Sequence, residues 1–212
     1  ATDPEKGYAT DFVSAIVAPH VQAIADSGVK LISNAGGVNP EACGHAIRQL
    51  IEDAGLSLQV AVITGDDLMP KLDQVLDSEP TEMFTGEPTP PREAIASANA
   101  YLGAFPIAEA LNQGADIVLT GRCVDSAVTL GACIHRFGWQ RDDLDLLAAG
   151  SLAGHLIECG PQATGGNYTD WHEVADTLHE VGYPIAEIAA DGSVVMTKPQ
   201  STGGCVTRGT VG

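Results

Sequence analysis

The chain has 212 residues, is 44% hydrophobic, and carries 28 acidic against 10 basic side chains for a formal charge of -18. That composition suits a cored globular protein rather than a disordered one, and the charge would repel a phosphate backbone, which argues against nucleic acid as a partner. There is no apolar run of about 18 residues and no basic segment followed by a hydrophobic one, so neither a membrane span nor a signal peptide is predicted and a cytoplasmic location is expected.

Residues 9 to 27 place Phe12, Ile16, Val17 and Ile24 near helical spacing, with Pro19 as a kink. The run "VKLIS" (29 to 33) is β-rich. It leads through "NAGGVNP" into the helix "EACGHAIRQLIEDAG", which has Pro40 at its first position and Gly55 just past its end. The pattern recurs: "LQVAVIT" (58 to 64) reads as a buried strand, "GDD" as its loop and "LMPKLDQVLDS" as a short helix.

A polar, proline-rich excursion follows at 79 to 91. Residues 92 to 115 then read as a helical stretch interrupted at Gly103 and Pro106. The strand "DIVLT", the loop "GRCVDS" and the helix "AVTLGACIHRFG" complete a third unit. Three strand-loop-helix units in series predict an α/β fold with a mostly parallel sheet.

The last third changes character. "DDLDLLAAGSLAGHLIECG" reads as a helix and "YPIAEIAADGSVVMT" as a hairpin turning at Asp191 and Gly192. The expected division is a parallel core over 1–150 and a covering or lid segment of the same domain over 151–212. A start without Met and a close in "STGGCVTRGTVG" suggest a fragment of a longer protein.

Ligands of open parallel sheets bind outside the carboxyl ends of the strands. Three loops fall there: "SNAGG" (33 to 37), "TGDD" (64 to 67) and "TGRCVDS" (120 to 126). They nominate Asn34, Gly36, Gly37, Arg122, Asp125 and Ser126 as substrate-binding residues, with Asp66 and Asp67 as catalytic acids or bases. The competing reading for any one loop is structural, since Asp and Ser cap helices and Gly serves turns. Arg122 could grip a carboxylate or phosphate in two parallel hydrogen bonds, or pair with Asp125 or Asp66.

His155, Glu158 and Cys159 fall at helical spacings, so one helix face could present all three. That would make His155 an acid or base and Cys159 a nucleophile or a bystander; the alternative is a pair of core side chains. Gly165, Gly166 and Asn167 belong to a T-G-G turn, repeated in "STGGC" (201 to 205), that could aim amide N–H groups at an anion or be a turn and nothing more.

Five cysteines, Cys43, Cys123, Cys133, Cys159 and Cys205, are widely spaced without a C-x-x-C pair. They read as reduced thiols, most of them in the core, rather than disulfides or zinc ligands. No dinucleotide fingerprint, P-loop or G-x-S-x-G elbow occurs. Metal binding by Asp66, Asp67 and Asp125 is the weakest of the options.

The strings "SNAGGVNPEACGHAI", "ANAYLGAFPIAEALNQGADIVLTGRCVDSA", "AAGSLAGHLIECGPQATGGNYTDW" and "KPQSTGGCVT" together resemble the acyclic terpene utilisation family, the AtuA-like proteins, over essentially the whole chain. The resemblance implies a role in branched acyl-CoA catabolism at a hydration or lyase step, and transfers no catalytic residue. The expected substrate is a small anionic or CoA-linked molecule, with no cofactor beyond CoA carried by that substrate. The protein is expected to be a homo-oligomer that binds no membrane. The alternative is a non-catalytic subunit or binding module of a carboxylase or lyase complex.

Overall fold

The three apolar runs expected as strands form one parallel sheet of β1 (Leu31–Ser33), β2 (Val60–Ile63) and β3 (Ile117–Thr120). They are seen in a computed structural model that describes residues 6–212. The strand order is β1-β3-β2, with Val118 of β3 opposite both Ile32 and Ala61. All four residues of β3 are buried, whereas β1 and β2 are half-buried. The expectation of a buried β2 is therefore corrected. Burial on both faces goes to the strand with neighbours on both sides, and β2 has a neighbour on one.

The chain divides into two compact units: the first runs to Pro106 and takes up Ala110–Val124, and the second comprises Ile107–Glu109 and Asp125–Gly212. The expected boundary at residue 150 falls inside a helix of the second unit.

In the first unit, α1 (Ala18–Ser27) follows a π-helical segment, Phe12–Val17. The kink expected at Pro19 takes this form. Ala18 N–H reaches back five residues to Val13 O just before the proline, which has no N–H to continue an ordinary ladder.

In α2 (Pro40–Asp53), Asn39 caps the first turn by accepting from Ala42 N at 3.2 Å, and Pro40 occupies a position where its missing N–H costs nothing. Cys43, Ile47 and Ile51 recur every fourth residue and meet Val17, Val21, Ile117 and Leu119 in one core on the sheet. Each isoleucine buried there contributes about 1.5–3 kcal/mol. That core is the floor on which the strand-end loops stand.

The sheet is tied at its amino end by Asp116. Its carboxylate accepts from Lys30 Nζ at 2.7 Å and from Gln59 N at 2.8 Å, so the residues leading into all three strands share one group. Burial alone would raise the Asp116 pKa, but the Gln59 amide and the Lys30 ammonium outweigh it and hold the carboxyl below its usual value.

After β2, a 3-10 turn at Met69–Lys71 enters the short helix α3 (Leu72–Leu76). Of the helical stretch expected from residue 92, a single 3-10 turn forms at Arg92–Ala94, and the α-helix begins at α4 (Phe105–Asn112), with Pro106 in its first turn. Residues 98 to 102 are extended instead, because their backbone bonds go to the strand-end loops. Leu68 N donates to Ala98 O, Ala100 N to Asp66 O, Leu102 N to Arg122 O and Val124 N to Leu102 O, at 2.8 to 3.0 Å.

In the second unit, α5 (Ala127–Phe137) and α6 (Leu144–Glu158) pack closely where Gly154 lies; a Cβ there would sit 2.7 Å from Ser126 O. The hairpin of β4 (Ile185–Ile188) and β5 (Val194–Thr197) turns as expected around Asp191 and Gly192, with Gly192 at φ +82°. Trp139 Nε1 donates to Ala190 O at 3.1 Å and fixes the hairpin loop to the segment that follows α5. The chain closes with α7 (Arg208–Val211). Among the described residues no helix is long and apolar enough to cross a membrane.

Candidate functional site

Parallel pairing of β3 with β1 and β2 brings the loops after Ser33, Ile63 and Thr120 to one end of the sheet. Asn34, Gly36, Gly37, Asp66, Asp67 and Arg122 are gathered there, all within the first unit. Asp125 and Ser126, which precede α5, belong to the second unit, and so do His155 on α6 and the turn containing Gly165, Gly166 and Asn167.

Asp66 organises this end. It is 4% exposed, and its Oδ2 accepts from Arg122 N at 2.9 Å and from Asn99 Nδ2 at 3.2 Å. One carboxylate thus joins the β2 loop, the β3 loop and the extended segment. Gly121 lets it approach, since a Cβ there would lie 2.2 Å from Asp66 Oδ1. Gly36 serves the β1 loop in the same way, because a Cβ would meet Thr120 O at 2.5 Å. Gly37, at φ +54°, turns the loop toward α2.

Asp67 stands apart from this network. Its Oδ1 accepts from Met69 N at 2.9 Å and starts the 3-10 turn, while the side chain remains exposed. A cleft of about 590 Å³ opens beside it, lined by Asp66, Asp67, Thr64, Asn39, Ser97 and Asn99 among others. Its charged lining is Asp66, Asp67, Glu41 and Lys6, so the local balance is acidic. Asn34, Gly36, Gly37 and Arg122 flank this end of the sheet without lining the cleft.

Arg122 pairs with no carboxylate among the described residues. Its backbone amide binds Asp66, while its guanidinium lies 4.9 Å from the ring centre of Tyr101 and donates from Nη2 to the Tyr101 hydroxyl. The side chain is exposed, so an anion could draw it off the ring.

Sequence reasoning missed Lys6, Asn39, Glu41, Ser97 and Asn99 as lining residues. Asn39 was legible as the residue before a helix-starting proline. Ser97 and Asn99 were hidden inside an expected helix, and only their pairing with loops far away in sequence makes them extended.

The second unit uses its polar groups internally. Gly165 N donates to Gln162 O at 3.2 Å and Gly166 N to Pro161 O at 2.9 Å, so both amides are committed within the turn rather than turned to an anion. The two T-G-G elements lock together: Cys205 N donates to Thr164 O at 3.0 Å, and Gly204 packs where a Cβ would lie 2.3 Å from the same oxygen. Thr164 is fully buried, with its hydroxyl bonded to Pro161 O and Gly182 O.

His155 is exposed near the end of α6. The Cys159 thiol donates to Glu158 Oε1 at 2.8 Å. That bond, with burial and the charges of Glu158 and Asp125, raises its pKa and opposes thiolate formation. Cys43, Cys123 and Cys133 are buried, as expected of core thiols, and burial pushes Cys43 up to about 11.

Among the described residues no group of three or more His, Cys, Asp or Glu side chains is placed to hold a metal ion. Asp66 is engaged by Arg122 N and Asn99, and Asp125 belongs to the second unit.

The family model described as acyclic terpene utilisation family protein AtuA matches residues 1–212. No curated protein and no solved structure matches the chain.

Proposed function

The chain belongs to the acyclic terpene utilisation family, and from that premise we propose that it is a cytoplasmic enzyme acting on a branched acyl-CoA, or a related carboxylated acyl group, at a hydration or lyase step. The observation that carries the reading is the cleft at the carboxyl end of β2, where an exposed carboxylate, Asp67, stands beside a buried one, Asp66. Such chemistry requires a base for the proton next to a thioester carbonyl and donors for the enolate oxygen that develops.

In the proposed mechanism, written for dehydration of a 3-hydroxyacyl thioester, Asp67 takes the proton from the α-carbon and Thr64, Ser97 or Asn99 donates to the enolate oxygen. The protonated Asp67 then returns that proton to the β-hydroxyl, which leaves as water as the double bond forms, and hydration is the reverse. Asp66 acts through position: held by Arg122 N and Asn99, it keeps the two loops at a fixed separation. The acidic lining disfavours a phosphate or carboxylate inside the cleft, so the neutral acyl end enters it. The anionic end stays on the flank, where Arg122 can leave Tyr101 to grip it.

The test is an assay of the full-length protein against branched 3-hydroxyacyl-CoA and 2-enoyl-CoA thioesters. Turnover is expected, and Asp67→Asn should lower kcat about 10²–10⁴-fold with the fold retained. Absence of turnover with every thioester, or an unchanged kcat in the variant, would remove the enzymatic reading. The alternative, a non-catalytic subunit of a carboxylase or lyase complex, is supported by the solvent-facing apolar tip at Met83 and Phe84. It predicts stable co-purification with a partner and indifference to Asp67→Asn.

A further inference from the structure

The proline-rich excursion between α3 and the extended segment forms a small knob. Thr81 and Pro88 pair as an antiparallel bridge, Glu82 N donates to Glu87 O at 2.8 Å, and Gly86 N donates to Glu82 O at 2.8 Å. The Glu82 carboxylate lies over the tip and accepts from the amides of Phe84 and Thr85. These bonds, the Thr85 amide first, hold its pKa below the usual value. Pro80, Pro88, Pro90 and Pro91 restrict the flanking backbone further.

The turn holds Met83 and Phe84 out in solvent, 83% and 86% exposed, the two most exposed large hydrophobic side chains among the described residues. Neither contributes to the core of the unit that carries it. An ordered turn presenting two adjacent large apolar side chains has already met much of the ordering cost that binding imposes on a loose loop. Aromatic and methionine side chains are enriched at interface centres.

Charge selects the occupant. Asp77, Glu79, Glu82 and Glu87 bracket the tip in sequence, the nearest bases along the chain are Lys71 and Arg92, and Arg92 pairs with Asp73 at 3.3 Å. A second copy of a chain carrying -18 would meet this acidic knob with like charge, and an anionic lipid surface would repel it. We propose that the Met83–Phe84 tip is a docking element for a different protein, one that offers an apolar socket rimmed by lysine or arginine. The proposal holds whether or not Asp67 proves catalytic.

The experiment incorporates photo-reactive p-benzoylphenylalanine in place of Met83 in the full-length protein in its native cells, and maps the captured peptide by mass spectrometry. The crosslink should fall among apolar residues of another chain, with Lys or Arg around them. With that partner purified, Phe84→Ser should weaken binding about thirtyfold and Phe84→Leu should restore most of it. Added salt should weaken the wild-type complex, and the unfolding midpoint of Phe84→Ser should match wild type.

A crosslink to a second copy, to lipid or to nothing would overturn the proposal. So would a partner without basic residues at the contact, or wild-type affinity in Phe84→Ser.

Discussion

The two ends of the parallel sheet use the same residue type for the same task and arrive at different surfaces. At the amino end Asp116 collects Lys30 and Gln59, and the strands begin side by side with their connections short. At the carboxyl end Asp66 collects Arg122 N and Asn99, the second from a segment distant in sequence, and a cleft lies between that segment, the β2 loop and the start of α2. A carboxylate that joins adjacent backbone produces a seam; one that joins a strand end to a distant segment leaves space beside it. That space, with Asp67 at its edge, is what makes the carboxyl end a candidate for chemistry.

The comparison breaks most visibly at Gly121. A methyl group there would meet Asp66 Oδ1 at 2.2 Å, and Asp66 is pinned by two donors, so Gly121→Ala should destabilise the protein by about 3 kcal/mol in urea unfolding. A loss below about 1 kcal/mol would show that Asp66 swings aside and is no fixed tie.

At the other end the effects are smaller. Asp116→Asn should cost about 1 kcal/mol near neutral pH, because Gln59 N keeps an acceptor while Lys30 loses its counter-charge. Since the folded pKa of Asp116 is depressed, its contribution is present above the unfolded value of about 4 and fades as pH falls through the folded value. The stability gap between wild type and Asp116→Asn should therefore hold from neutral pH down to about 5 and narrow below about 4; a gap independent of pH would exclude the charged seam. Lys30→Ala should cost a few tenths of a kcal/mol, less in high salt, because the Lys30 side chain is 38% exposed.

Much of the frame was legible because local signals govern it. The proline at position 40, the glycines at 55 and 192, and the four-residue recurrence of Cys43, Ile47 and Ile51 each name their element. Strand rank was not legible: "LQVAVIT" is as apolar as "DIVLT", and only the order β1-β3-β2 makes one an edge and the other a centre.

The site divides in the same way. Asp66 and Asp67 follow a strand and could be named from that position alone. Ser97 and Asn99 look helical by local spacing, but their neighbours Ala98 and Ala100 bond to Leu68 and Asp66 and draw the segment out of a helix. Arg122 was read through its guanidinium as a partner for Asp66, whereas its tie to Asp66 runs through its backbone amide.

The interlocked turns of the second unit carry a consequence for how that unit is fastened. From Thr164 to Cys205 the chain leaves, builds a hairpin and returns to the oxygen it started from. In a secreted domain such a loop would commonly be closed by a disulfide; here it is closed by amides, a buried threonine hydroxyl and glycines that leave no room for a side chain. A fastening of that kind ignores the redox state of its surroundings, while Cys159 and Cys205 remain free thiols beside it.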